Sequence, residues 1–295
     1  MDEKVYRAYV DILHEELVPA MGCTEPIAVA YAGALARKTL GALPERTVLT
    51  VSRNIIKNVK SVVVPHTDGK KGLRAAVAAG ICFGDADREL EVLADATDEQ
   101  IAQMGSWLEQ ADIQVLDSDA GNPFDLHVEV FAGDQSAYVR IVGNHTNVVV
   151  VRRNDELLVN EPFDDGELTP PENRSLLTVD DIVTFANEVD VDDVRDVLQR
   201  QIDDNLAIVQ AGLSGEYGAA IGKILLMSYG NSVSNRAKAW AAAGSDARMG
   251  GCELPVVINS GSGSRGSPRR CRWLFTRASA VCRTSSCCAR SSCPT

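Results

Sequence analysis

Apolar residues recur at Val5, Tyr6, Tyr9, Val10, Leu13, Leu17 and Val18, the three-to-four spacing that puts one face of a helix against a core. A break from Pro19 to Thr24 follows. Pro26 then opens a second helical stretch to about Leu40, proline being favoured at the first helical position. Its residues Ile27 to Ala36 are small and apolar on every face, which predicts a helix packed closely on all sides. Residues 47–51 predict a strand. Residues 61–64 are a short apolar run stopped by Pro65, and residues 72–82 predict another small-residue helix.

From about residue 85 the pattern changes. Residues 89–94 predict a strand and residues 98–110 a polar helix. Residues 113–116, 126–131, 137–142, 147–151 and 156–159 alternate or run in β-branched residues, with turn residues between them. Residues 168–175, which hold Pro170 and Pro171, predict a linker. Thr178 stands as a helix cap before periodicity that continues to about Leu213, and residues 218–243 form a further small-residue helical stretch. The expected fold class is mixed α and α+β. A helical domain made from residues 1–84 and 171–263 is interrupted by an α+β insertion, residues 85–170, whose antiparallel sheet is expected to stand apart from the helices.

Composition changes this at one place. Residues 264–295 hold seven Arg, seven Ser and five Cys and no Asp, Glu or Lys, whereas residues 1–263 hold 22 Lys and Arg against 41 Asp and Glu, a charge of −19. An acid-free Arg/Ser/Cys stretch is what G/C-rich coding DNA gives out of frame. Reading one nucleotide back, with G/C-rich codons, permits a segment with acids, a Val run and a Pro-Asp-Glu helix start. Residues 264–295 are therefore expected to be an aberrant tail that packs poorly. The competing reading is a basic, Cys-rich tail for metal or nucleic acid, but Cys282, Cys287, Cys288 and Cys293 lack paired zinc spacing with His.

The acidic body disfavours nucleic acid and anionic membranes as partners. No apolar run reaches transmembrane length, and Met1-Asp2-Glu3-Lys4 leads into an amphipathic segment with no secretory pattern. Cys23, Cys82 and Cys252 are scattered, which fits a reducing cytoplasm. Aromatics are 5% of the chain, so the core must be built from Ala, Val, Leu and Ile.

Gly22-Cys23-Thr24-Glu25-Pro26 is the sharpest local signal. With Pro26 opening a helix, Cys23 lies within a turn of its N-terminus, where the macrodipole and free N–H groups stabilise a thiolate. Such a cysteine can serve as base or nucleophile. Glu25 opposes this by like charge, and a small buried Cys in an Ala-rich core is the plain alternative. Asn54, Lys57 and Asn58, followed by the turn-forming residues 65–72, could hold an amino-acid carboxylate, or be solvated charges and turns. His145 and Thr146, in Gly143-Asn144-His145-Thr146-Asn147, offer an acid/base or orienting group, or a hairpin turn. Residues 245–252, and Asn259, Ser260, Gly261 and Ser262 before Gly263, are small-residue loops suited to close approach to an anion. Neither nucleotide-binding glycine fingerprint occurs.

In their order and spacing, the segments at 22–26, 54–58, 143–147 and 259–263 resemble the L-cysteine desulfidase family, related to the α chain of iron–sulfur L-serine dehydratases. The likeness covers residues 1–263. It implies a lyase that splits L-cysteine into sulfide, ammonia and pyruvate, with a [4Fe–4S] cluster whose open iron binds the leaving sulfur, and with Cys23 as the base for the α-proton. Thr24, Glu25, Asn54, Lys57, Asn58, His145, Thr146, Asn259, Ser260, Gly261 and Ser262 would hold the substrate. The family's cluster ligands lie beyond its last motif; Cys82 and Cys252 do not match them, so this chain is expected to lack the cluster and to be inactive as it stands. The family continues Asn-Gln-Gly where Ser264-Arg265-Gly266 stands, which strengthens the out-of-frame reading. L-serine or another 3-substituted amino acid as substrate, and a non-catalytic amino-acid-binding homologue, are the alternatives. The partner expected is a small amino acid, with homo-oligomer formation left open.

Overall fold

The structure is a computed structural model and describes residues 1–118, 121–163 and 172–259. Helix α1 (Glu3–Glu16) is capped by Asp2, whose side chain accepts from the N–H groups of Lys4 and Val5. Strand β1 (Pro19–Met21) leads through Gly22 into α2 (Thr24–Leu40), which ends at the left-handed Gly41. Then come β2 (Arg46–Ser52), α3 (Arg53–Val59) and α4 (Gly72–Phe83). Next are α5 (Asp98–Gln110), begun by a capping box of Thr97 and Gln100, and strands β3 (Asp112–Ser118), β4 (Asp125–Ala132), β5 (Gln135–Val142), β6 (Val148–Arg153) and β7 (Glu156–Asn160). Helices α6 (Val179–Glu188), α7 (Val191–Ser214), α8 (Ile221–Tyr229) and α9 (Val233–Met249) and strand β8 (Pro255–Val257) complete the described chain.

The main sheet runs β3-β2-β4-β5-β6-β7 and is antiparallel throughout except for the parallel β2–β3 pair. Helix α2 crosses it, and α4 packs on α2, so sheet and helices share one core that includes Ile27, Val29, Leu49, Val51, Val77, Ile81, Leu126, Val128 and Val139. The expectation of a sheet standing apart from the helices is thus corrected. Strand β2 comes from before the insertion and lies inside the sheet, where alternate residues Thr47, Leu49 and Val51 are buried. Residues 89–94 also differ from the expected strand. Residues 86–91 form a 3-10 turn, and Leu90, Val92 and Leu93 anchor it in the core. Two-residue alternation at 89–92 mimicked a strand, but a turn buries the same side chains.

A second, smaller cluster joins α1 to α6 and α7. Tyr6 and Tyr9 pack on Phe185 at ring distances of 5.5 and 5.4 Å, beside Val194 and Val197 of α7. Strands β1 and β8 pair antiparallel, which ties the residues before Gly22 to those after α9. Among the described residues no helix is long and apolar enough to cross a membrane. The sequence readings at Ser260, Gly261, Ser262, residues 164–171 of the linker region, and the 264–295 tail lie outside the described residues.

One buried charge group braces the sheet. Asp125 is fully buried and accepts from Arg140 Nε and Nη2 at 3.0 and 3.2 Å; His127 Nε2 stands 2.9 Å away. Burial alone would raise the Asp125 carboxyl, but His127 and Arg140 outweigh it and hold it below its ordinary value. A lowered folded-state value means the stabilisation is present above the unfolded-state value, about 3.9, and is lost as pH falls through the folded one. Asp125→Asn should cost roughly 3 kcal/mol at neutral pH by removing the buried carboxylate that accepts from Arg140. Urea midpoints measured against pH should also fall less steeply below about pH 4 in the variant. Equal slopes in the two proteins would remove this role.

Candidate functional site

Gly22 has φ +58, and a Cβ there would stand 2.7 Å from Pro65 Cγ, so the turn into α2 needs glycine on both counts. It sets Cys23 at the N-cap of α2, within a turn of the helix start as expected, although the helix opens at Thr24 and not at Pro26. The Cys23 side chain makes no cap bond. Its thiol instead donates to Glu25 Oε2 at 2.9 Å, and Thr24 Oγ1 donates to the same oxygen at 3.3 Å. Asn58 Nδ2, from α3, donates to Glu25 Oε1 at 3.2 Å. Glu25 is therefore the hub of the group.

Two further segments close around it. In the β5–β6 loop, Asn144 Oδ1 accepts from the N–H groups of Thr146 and Asn147 at 3.1 and 2.8 Å, and Asn147 Nδ2 donates to the Val142 carbonyl at 2.9 Å. This ordered turn presents His145, whose ring lies 4.6 Å from that of Phe124 and whose Nε2 is buried without a hydrogen-bond partner among the described residues. From the last turn of α9, the buried Arg248 donates through Nε to the Gly22 carbonyl at 2.6 Å. Its charge reaches Cys23, Glu25 and His145.

The electrostatics correct one expectation. The Cys23 thiol is pushed up to about 12, first by burial, then by the charge of Glu25 and the hydrogen bond to it. The helix N-terminus does not win, because the sulfur faces a carboxylate within hydrogen-bond reach and little water. Burial pushes Glu25 up too, but Cys23, its own N–H, the charge of His145 and Asn58 together hold it below its usual value. Burial lowers His145, with Glu25 opposing and Arg248 adding. At neutral pH the group is thus a thiol, a carboxylate and an imidazole inclined to be neutral.

Of the residues singled out in the sequence, Cys23, Thr24, Glu25, Asn58 and His145 come together. Asn54 and Lys57 are exposed on α3, on the side that Asn58 shares, and Thr146 serves the turn beneath His145. Pro255 lies opposite Met21 and Ile258 donates to the Val18 carbonyl, which places Asn259 just past the β1–β8 pair. Arg248 is the residue that sequence reasoning missed. It stood within residues 245–252, read as a loop, whereas α9 extends to Met249 and aims the side chain inward. An Arg in the last turn of an Ala-rich helix was its only signal.

Two clefts lie elsewhere. One of about 350 Å³ is bounded by Arg37, Lys38, Asp85 and Asp87, and one of about 550 Å³ by Asp68, Lys70, Asp98, Glu109 and Glu253. No three His, Cys, Asp or Glu side chains among the described residues gather as a metal-holding group. Cys23, Cys82 and Cys252 are free and far apart in the chain, and the thiol of Cys23 is engaged by Glu25. The described residues therefore do not fit a [4Fe–4S] cluster.

An Ala-rich helical core on a mixed sheet, with a thiol–carboxylate pair at a buried helix start, defines the class: a mixed α/β protein. The family model for the serine dehydratase alpha chain matches residues 87–280, and the chain belongs to that family. Relatives extend the likeness over about nine tenths of the chain. A UPF0597 protein of Desulfitobacterium hafniense is 50% identical over 264 residues, 90% of this chain and 61% of that protein. UPF0597 proteins of Lachnoclostridium phytofermentans and Treponema denticola are 44% and 41% identical, covering 89% and 90% of this chain and 63% of each relative. The chain thus spans about three fifths of the length of these relatives. No solved structure matches.

Proposed function

We propose that the chain is the amino-acid-handling part of a serine dehydratase-type lyase in the cytoplasm. Its substrate is a small amino acid with a leaving group on Cβ, and L-cysteine is the first choice. L-cysteine and water would give pyruvate, ammonia and sulfide. The base removes the α-proton, the Cβ–S electrons leave with sulfur, and the resulting enamine hydrolyses. Cys23 is the proposed base, which requires its thiol to lose a proton first. Asn54, Lys57 and Asn58 flank the pair and suit a substrate carboxylate. His145 offers a buried ring nitrogen for a polar substrate group. The observation that carries this reading is the Cys23–Glu25 pair, enclosed by Asn58, His145 and Arg248 from three separate segments. The family's iron–sulfur chemistry would need ligands from outside the described residues.

We also propose that residues 264–295 are read out of frame, a reading supported by their composition. Sequencing the gene past the codon for Gly263 decides it. The frame-restored protein, prepared without oxygen, should release sulfide and pyruvate from L-cysteine. Ammonia and pyruvate from L-serine with no sulfide from L-cysteine would move the substrate to L-serine. No pyruvate from either would leave the non-catalytic homologue.

A further inference from the structure

We propose that Glu25 governs the Cys23 proton: its carboxylate keeps the sulfur as a thiol, and it is also the seat of the substrate's α-ammonium, whose charge releases that proton. The inference deepens the lyase reading for the ammonium and rests on it there; the hold of Glu25 on the thiol stands on geometry alone.

The two oxygens of Glu25 are divided between Cys23 and Thr24 on one side and Asn58 on the other. All three hydrogen-bond donors are neutral. The charged or titratable groups that face it are Cys23 from its own helix start, His145 from the β5–β6 loop and Arg248 from α9. Arg248 spends its Nε on the Gly22 carbonyl, and burial inclines His145 to the neutral form. A half-buried carboxylate held by neutral donors is suited to a cation that arrives with a ligand, and an amino acid carries one on Cα. The burial that makes the thiol hard to ionise also makes it responsive, because a charge brought to Glu25 acts in a poorly screened site.

The step balances simply. Without ligand, Sγ–H donates to Glu25 Oε2. When the ammonium pairs with Glu25, the carboxylate no longer repels a negative sulfur, the S–H bond breaks and its proton passes to water. Glu25 stays a carboxylate and no electrons change hands. The thiol would thus ionise only with an amino acid in place, which protects a buried nucleophile from oxidation and alkylation between turnovers.

The test reads the thiolate fraction by the rate at which iodoacetamide alkylates Cys23 in the chain as it exists, with Cys23→Ser as the blank for the other cysteines. Glu25→Gln keeps the shape and removes the charge, so it should show about tenfold more Cys23 thiolate at about pH 8. L-alanine, which has no leaving group on Cβ, should raise the wild-type rate toward that of Glu25→Gln. N-acetyl-L-alanine, which lacks the cation, should not. An unchanged thiol in Glu25→Gln overturns the inference, and so does wild-type thiolate that ignores L-alanine or responds equally to the acetylated form. If Glu25→Gln fails to fold, the ligand arm on the wild-type chain decides alone. No arm needs turnover. A chain that shows these shifts and whose frame-restored form makes no pyruvate keeps the inference and loses the lyase reading; an active enzyme whose thiol ignores Glu25 does the reverse.

Discussion

Gly80→Val should largely unfold the helical core, lowering stability by about 3 kcal/mol or more in a urea titration. Helices α2 and α4 meet backbone to backbone. A Cβ on Gly80 would lie 2.6 Å from the Ala30 carbonyl carbon and 2.8 Å from its Cα, and one on Gly33 would lie 2.9 Å from the Val77 carbonyl oxygen. These neighbours are main chain, so relief requires the helices to separate. Separation would open the contact around Val29, Val77 and Ile81, all with no exposed surface. The sheet would suffer with it, because α2 is the element that both α4 and the sheet pack against. Gly105→Ala is the contrasting case. Its Cβ would meet only the end of the Lys70 side chain at 3.5 Å, and it lies within α5, so the change should be neutral or stabilising by about 0.5–1 kcal/mol. Equal effects at the two glycines would refute the close-packing account.

Cys23→Ala in the frame-restored protein should reduce sulfide release from L-cysteine roughly 10²- to 10⁴-fold, the span expected for loss of a positioned base. The fold should persist. The side chain is small and buried, it makes no cap bond, and α2 retains Gly22, Thr24 and Pro26 at its start. Circular dichroism separates lost chemistry from lost structure. Turnover retained within a few-fold would remove Cys23 as the base and leave Glu25 as the nearest proton acceptor. Cys23→Ser should be nearly as inactive, since a hydroxyl is harder to ionise than a thiol in the same buried place.

Much of the site was legible because its signals are local. A proline four residues past a glycine turn and at the head of an apolar run locates a helix start, and it located α2 to within two residues. The Asn-His-Thr-Asn turn was legible for the same reason: its side chains satisfy their own backbone. The sign of the Cys23 shift was not legible. The helix N-terminus favours a thiolate, Glu25 and burial disfavour it, and only the 2.9 Å distance and the depth of the sulfur show which prevails. Arg248 escaped notice because its role depends on α9 returning beside Gly22, a contact across 226 residues.

By itself the sequence determined the class of most of the long segments, the close packing of the small-residue helices, the start of α2 and the odd character of residues 264–295. Each of these follows from spacing, residue size or composition over a short window. Tertiary structure alone decided that β2 enters the interior of the sheet, that residues 89–94 turn rather than extend, and that Glu25 is the hub. These depend on strand register, on burial and on which distant segments meet. Such long-range terms rest on the whole core, and a local pattern of apolar and polar residues is compatible with more than one arrangement of them.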